Sequence, residues 1–251
     1  MRHRWWAWLL VGLAVLAVAA ALGFVIWAET PLGPMPEAVM AMATDESVTV
    51  DQNDVIVFRP NGAGPTEGLI FYPGARIDPE SYAPAMRDLA AQGFLVVVTP
   101  MPLNLAVLDS DKAAEVVAEF PEIQRWAVGG HSLGGAMAAA FVASDPMAVY
   151  GLVLWAAYPS SGDDLSAWPG RVTSVFATND GLTTPDDIVR TMSLLPGDTE
   201  FVVIEGGNHS QFGWYGEQRG DGVAEISREE QQSRIVAATL GTLRALPAVG
   251  D

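Results

Sequence analysis

The hydrophobic pattern divides the chain in two. From Trp5 to Ala28 (WWAWLLVGLAVLAVAAALGFVIWA) no charged residue interrupts the apolar run. A helix of that length spans roughly 36 Å, enough to cross a bilayer core with some tilt. Beyond it, short apolar runs bounded by turn residues predict strands near Val48–Val50, Val55–Arg59, Leu69–Tyr72, Phe94–Thr99, Arg125–Val128, Tyr150–Ala156, Val172–Ala177 and Glu200–Ile204. Helical spacing marks Pro79–Gln92, ended by Gly93, and Lys112–Phe120, opened by Asp109 and Asp111. Leu133–Ser144 is small and apolar, Pro185–Leu195 follows the candidate N-caps Thr183 and Thr184, and Ser227–Leu246 is amphipathic. Strands in hairpin order come first, then strands alternating with helices. That succession predicts an α/β fold, a mostly parallel sheet flanked by helices, with an antiparallel start.

Glu29–Glu37 (ETPLGPMPE) holds three prolines and reads as a juxtamembrane linker. The later connections are short and leave no second domain or large lid. The expected organisation is a transmembrane signal-anchor over residues 1–28, a linker over 29–37 and one α/β domain over 38–251. Trp5, Trp6, Trp8 and Trp27 bracket the apolar run, where indoles favour the headgroup boundary. Arg2 and Arg4 precede it and Glu29 and Glu37 follow it. The positive-inside rule then predicts a single-pass protein of the cell membrane, its N-terminus cytoplasmic and its domain extracytoplasmic. Small residues at Ala17 to Ala21 leave cleavage as the alternative, which would make the domain secreted.

Charge and composition narrow the chemistry. The 251 residues carry a formal charge of −17, and the part after the apolar run holds all 30 acidic residues against 11 basic ones, a formal −19. Such a surface repels phosphate backbones, so no nucleic-acid partner is expected. Cysteine is absent, which excludes disulfides, thiolate metal sites and a cysteine nucleophile. Two histidines in the domain and no cysteine make no recognisable metal cluster, and no cofactor is implied.

The strand predicted at Arg125–Val128 runs into GGHSLGG and then into the small apolar helix. Gly130-His131-Ser132-Leu133-Gly134 is a G-x-S-x-G pattern, weak alone but strong between a strand and a helix. A serine on so sharp a turn adopts strained dihedrals, and the residues two before and two after it must be small. Its hydroxyl then stands over the sheet edge, near a helix N-terminus that favours developing negative charge. Serine needs a base. His3 precedes the apolar run, and the His131 side chain is expected to point away from the hydroxyl. His209 remains, in GGNHS after the strand Glu200–Ile204, on what reads as a flexible loop. The orienting carboxylate is Asp180, in the turn after Val172–Ala177; Asp163, Asp164, Asp186 and Asp187 compete for that role.

The order Ser132, Asp180, His209 resembles the α/β-hydrolase superfamily, whose triads run nucleophile, acid, histidine. The likeness covers roughly Val55 to Leu246. Its stretches FYPGARIDPESYAPAMRDLAAQGF, GGHSLGG, ATNDGLTTPDDI and GGNHSQFGWYG are similar to the compact, lid-poor, dienelactone-hydrolase-like branch of the fold-5 type. The resemblance implies Ser132 as nucleophile, Asp180 as acid and His209 as base. It also implies an oxyanion hole of the Leu133 and Ala75 N–H groups, although Pro73 stands where many relatives carry histidine. Arg76 is a candidate for a substrate carboxylate, Met101–Leu105 for an acyl pocket, and Trp214 and Tyr215 for walls of the site. The implied activity is hydrolysis of a small-molecule ester or acyl substrate through an acyl-enzyme. Alternatives are an acyltransferase or small peptidase with the same triad, or a non-catalytic binding module on this scaffold.

Overall fold

The structure, a computed structural model, describes residues 5–62 and 64–247; Arg2, His3 and Arg4 of the expected cytoplasmic flank lie outside the described residues. The apolar run forms one helix, α1 (Trp5–Ala28), and its stretch Trp8–Ala28 is long and apolar enough to cross a membrane. A short helix α2 (Pro36–Ala41) follows, with Pro36 supplying a preset φ at its start.

Eight strands then form a single sheet: β1 (Val48–Gln52), β2 (Ile56–Pro60), β3 (Glu67–Tyr72), β4 (Leu95–Val98), β5 (Arg125–His131), β6 (Gly151–Trp155), β7 (Arg171–Ala177) and β8 (Glu200–Ile204). Their spatial order is β1-β2-β4-β3-β5-β6-β7-β8. β1 pairs antiparallel with β2 and β2 antiparallel with β4, while β3 to β8 run parallel. The crossover helices are α3 (Ala83–Ala91), α4 (Lys112–Glu119), α5 (Leu133–Ser144) and α6 (Pro185–Thr191), and α7 (Arg228–Arg244) closes the described chain.

Strand alternation builds two cores. Leu69 and Phe71 face the helices α3 and α7, whose Met86, Leu89, Ile235 and Leu243 join them. Ile70 and Tyr72, which alternate with them along the strand, face α4 and α5 through Val116, Phe141 and Val142. β3 and β5 lie at the middle of the sheet and are buried on both faces. That burial explains their continuous apolar runs. Local chemistry sets the helix ends. Thr184 and Asp187 form a reciprocal capping box on α6, Ser227 caps α7, and Gly93 sits beyond α3 at φ 100°. The stretch predicted as one helix from Pro79 divides into a 3-10 turn, Pro79–Tyr82, and α3.

The proline-rich segment 29–37 differs from a free tether. Leu32 forms a parallel bridge with Ile77, its N–H donating to Arg76 O at 2.8 Å and its carbonyl accepting from Asp78 N–H at 2.9 Å. Met35 N–H donates to Trp214 O at 2.7 Å. Extended, proline-rich backbone has few internal partners, so the domain edge supplies them.

Candidate active site

β5 runs three residues past its predicted end, through His131, so Ser132 is the first residue after the strand and stands immediately before α5. Ser132 has φ 52° and ψ −123°, a strained conformation for a residue with a Cβ. The turn closes because its flanks are glycine. A Cβ on Gly130 would lie 2.5 Å from the carbonyl carbon of Gly134, and one on Gly134 would lie 2.2 Å from Tyr72 O. The start of α5 is thus pressed against the end of β3. Among the described residues the N–H groups of Leu133 and Ala75 make no hydrogen bond, whereas those of Gly74, Arg76 and Ile77 are all engaged. Two free donors therefore flank the junction of β3 and the turn.

Asp180 follows β7 and His209 follows β8, both at the carboxyl edge that carries Ser132. Asp180 is buried. One carboxylate oxygen accepts the N–H groups of Leu182 and Thr183 at 2.8 and 2.6 Å; the other meets His209 Nδ1 at 2.8 Å. Two backbone donors thus fix the carboxylate so that its second oxygen orients the imidazole. His209 Nε2 is buried and has no hydrogen-bond partner among the described residues, so it makes no hydrogen bond to the Ser132 hydroxyl. Three of the four competing acids are engaged elsewhere or exposed. Asp187 caps α6, Asp164 accepts Ser166 N–H at 2.9 Å, and Asp186 is exposed.

The histidine loop is held from several sides, contrary to the flexible loop expected. Gln231 of α7 grips Asn208 with both amide atoms, accepting its N–H at 3.0 Å and donating to its carbonyl at 2.7 Å. The Asp221 carboxylate accepts from the N–H groups of His209 (3.1 Å), Ser210 (2.7 Å) and Gly181 (3.2 Å) and from the Ser210 hydroxyl (2.6 Å). It thereby joins the loop of His209 to the loop of Asp180. Tyr215 donates its hydroxyl to His209 O at 3.2 Å, and Arg228 donates to Ser210 O at 2.6 Å. Sequence reasoning missed Asp221 and Gln231. The one trace of Asp221 is its place between two glycines, Gly220 and Gly222.

His131 is also part of the site. Its ring is fully buried, 4.5 Å from the His209 ring by centroids and stacked on Phe212 at 5.6 Å. Burial first, and the neighbouring His209 second, push His131 well below the usual histidine range, so it stays neutral. Its Nδ1 lies 2.9 Å from the Tyr82 hydroxyl, which accepts Gly74 N–H at 2.9 Å. Burial raises the Tyr82 phenol far above its ordinary range, which keeps its proton in place. The Tyr82 hydroxyl and His131 Nδ1 share one hydrogen bond, and His131 Nε2 is buried with no hydrogen-bond partner among the described residues. The relay from Gly74 through Tyr82 to His131 ties the loop beside Ala75 to the serine turn.

The two side chains expected to bind substrate have other partners. Arg76 donates from Nε to Trp27 O and from Nη2 to Thr30 O, both at 2.6 Å, and its guanidinium lies over the Trp27 ring at 4.3 Å. The end of α1 presents carbonyls without helical partners, and Arg76 satisfies them. Trp214 is buried in the groove between α3 and α7, with Arg228 5.7 Å from its ring. Of the Met101–Leu105 stretch, Met101 is buried in the core and Asn104 donates to Ala28 O at 3.0 Å. Among the described residues no cluster of three or more histidine, aspartate or glutamate side chains is arranged to hold a metal ion.

Residues 68–233 match a family model described as the alpha/beta hydrolase family. No curated protein matches the chain. Among solved structures, a novel esterase from Mycobacterium tuberculosis is similar with a TM-score of 0.57 at 16% identity, over 83% of this chain and 95% of that one. The esterase domain of a Rhodothermus marinus protein is similar with a TM-score of 0.59 at 12% identity, over 80% and 99%. A hydrolase from Thermoplasma acidophilum described as CIB-like gives 0.53 at 17%, over 78% and 97%. At these identities the likeness is one of fold.

Proposed function

The chain belongs to the alpha/beta hydrolase family, and from that membership and the site geometry we propose that it is a membrane-anchored serine hydrolase that cleaves a carboxylic ester. The observation that carries this reading is the buried pair of Asp180 and His209, 2.8 Å apart, with the free Nε2 of the histidine in the site and the strained Ser132 turn beside it. His209 Nε2 takes the proton of the Ser132 hydroxyl as Oγ attacks the ester carbonyl. The N–H groups of Leu133 and Ala75 bind the oxygen that gains negative charge. Asp180 stabilises the imidazolium, which returns its proton to the departing alcohol. Water, deprotonated in turn by His209, then attacks the acyl-enzyme and releases the acid and free Ser132.

The anchor is α1. Residues Trp8 to Trp27 are exposed on the domain's outside, an arrangement that water disfavours and a bilayer satisfies. With Arg2 and Arg4 on the cytoplasmic side, the domain lies outside the membrane. The test is a panel of p-nitrophenyl esters of graded acyl length on the detergent-solubilised full chain. The expected result is turnover by the wild type and loss on the order of 10⁴-fold or more in Ser132→Ala. Equal rates for the two proteins would remove the serine from the chemistry.

A further inference from the structure

Helix α1 meets the domain at the same sheet edge as the candidate active site. Its last carbonyls and the turn after it are bound by residues of two loops: Arg76, in the loop after β3, takes Trp27 O and Thr30 O, and Asn104, in the loop after β4, takes Ala28 O. Arg76 is adjacent to Ala75, the proposed oxyanion donor. Both Arg76 and Asn104 are left-handed, at φ 54° and 55°, and Arg76 N–H donates to Asn104 O at 2.8 Å. Such backbone persists where its surroundings over-determine it, and here both strained residues engage the helix end. The Leu32–Ile77 bridge continues the attachment, so helix and domain are joined without a swivel.

Past Asn104, the same loop presents Val107 and Leu108 to the outside, 55% and 52% exposed, and Trp27 at the helix end is 47% exposed. Val107 and Leu108 follow within four residues of Asn104, whose side chain holds the end of α1. Indoles at a helix end sit at headgroup depth. The formal −19 of the domain gives no attraction to anionic lipid, so apolar contact and the rigid helix set the orientation.

We propose that the catalytic edge faces the bilayer, with Val107 and Leu108 in its surface, and that the substrate is a long-chain acyl ester taken from the outer leaflet. The substrate class rests on the hydrolase reading above; the orientation rests on the anchor alone.

Two measurements separate them. The chain lacks cysteine, so Leu108→Cys and Met147→Cys each accept a single environment-sensitive nitrobenzoxadiazole label. Met147 is 84% exposed between α5 and β6, at the opposite edge of the sheet. In vesicles of ether-linked phosphatidylcholine with doxyl-labelled lipid, the label at 108 should be quenched about twofold or more and that at 147 left unchanged. Equal behaviour at the two positions overturns the orientation. In the same vesicles the full chain should cleave embedded p-nitrophenyl palmitate, and Val107→Asp with Leu108→Asp should slow this about tenfold. Hydrolysis of water-soluble p-nitrophenyl acetate by this variant should stay within about twofold of wild type, because neither residue touches the reacting groups. Unaltered palmitate cleavage, or equal loss on both esters, overturns the substrate class. Failure of the wild type to cleave either ester sinks the hydrolase reading and the substrate class with it, and leaves the quenching contrast to decide orientation.

Discussion

Replacing Gly134 by alanine tests how the serine turn and the oxyanion loop are held together. The added methyl would lie 2.2 Å from Tyr72 O, 2.3 Å from Pro73 O and 2.7 Å from Tyr72 C. All three are backbone atoms, so no flexible side-chain end can swing away. Tyr72 is fixed by its place in β3 beside Gly130 and by its hydroxyl, which donates to Ser110 O and accepts Ala113 N–H. The start of α5 and the end of β3 must part by about 1 Å, and a displacement of that size at a reacting centre costs on the order of 100-fold in rate. The same displacement pulls Leu133 N–H away from Ala75 N–H, and loss of one oxyanion donor costs about 10²–10³-fold. Overpacking of this kind destabilises by about 1–3 kcal/mol, at roughly 2–4 °C in Tm per kcal/mol for a domain of this size. Gly241 on α7 is the control, because a Cβ there meets nothing within 4 Å. Gly241→Ala should be neutral or stabilising by up to about 1 kcal/mol. The assay is kcat/KM on p-nitrophenyl acetate beside a thermal melt. A Gly134→Ala protein with wild-type Tm and kcat/KM within about threefold of wild type refutes the reasoning.

Asp221→Ala removes an acceptor shared by four loop N–H groups and a hydroxyl. It should cost about 2–4 kcal/mol in urea unfolding and lower kcat more than it raises KM, with Asp221→Asn recovering part of both. Unchanged stability would mean that the loop is held without it. His131 gives a pH signature. Its folded pKa lies well below the unfolded value near 6.5, so the unfolded chain binds the extra proton and stability falls as pH drops below that value. Between pH 7.5 and 5.5 the wild type should lose on the order of 1 kcal/mol more than His131→Gln; parallel losses would show that residue 131 is not a buried neutral imidazole.

The sheet was legible because its strands are short apolar runs between turn residues, and all eight predicted strands form, with the expected antiparallel start. The candidate site was legible in outline because Ser132, Asp180 and His209 each stand in a turn just after a strand, where open parallel sheets gather their ligands. What the sequence hid was the set of side chains that bond to backbone. Arg76 reads as a loop arginine because its partners, the carbonyls of Trp27 and Thr30, lie more than forty residues away and carry no residue-type signal. Asp221 and Gln231 bind the N–H and C=O groups of the histidine loop, which are chemically the same at every residue. The three prolines between Glu29 and Glu37 suggest a tether, but a bridge through Leu32 depends on where Ile77 is presented.

The most direct measurement is the site of covalent capture. The full chain, treated with a fluorophosphonate and read by peptide mass spectrometry, should carry one phosphonyl group on Ser132, with fluoride displaced. The capture rate should fall by on the order of 10³-fold in His209→Ala and in Asp180→Asn. A folded wild-type protein that carries no adduct, or carries it on another residue, contradicts the assignment of Ser132 as the nucleophile.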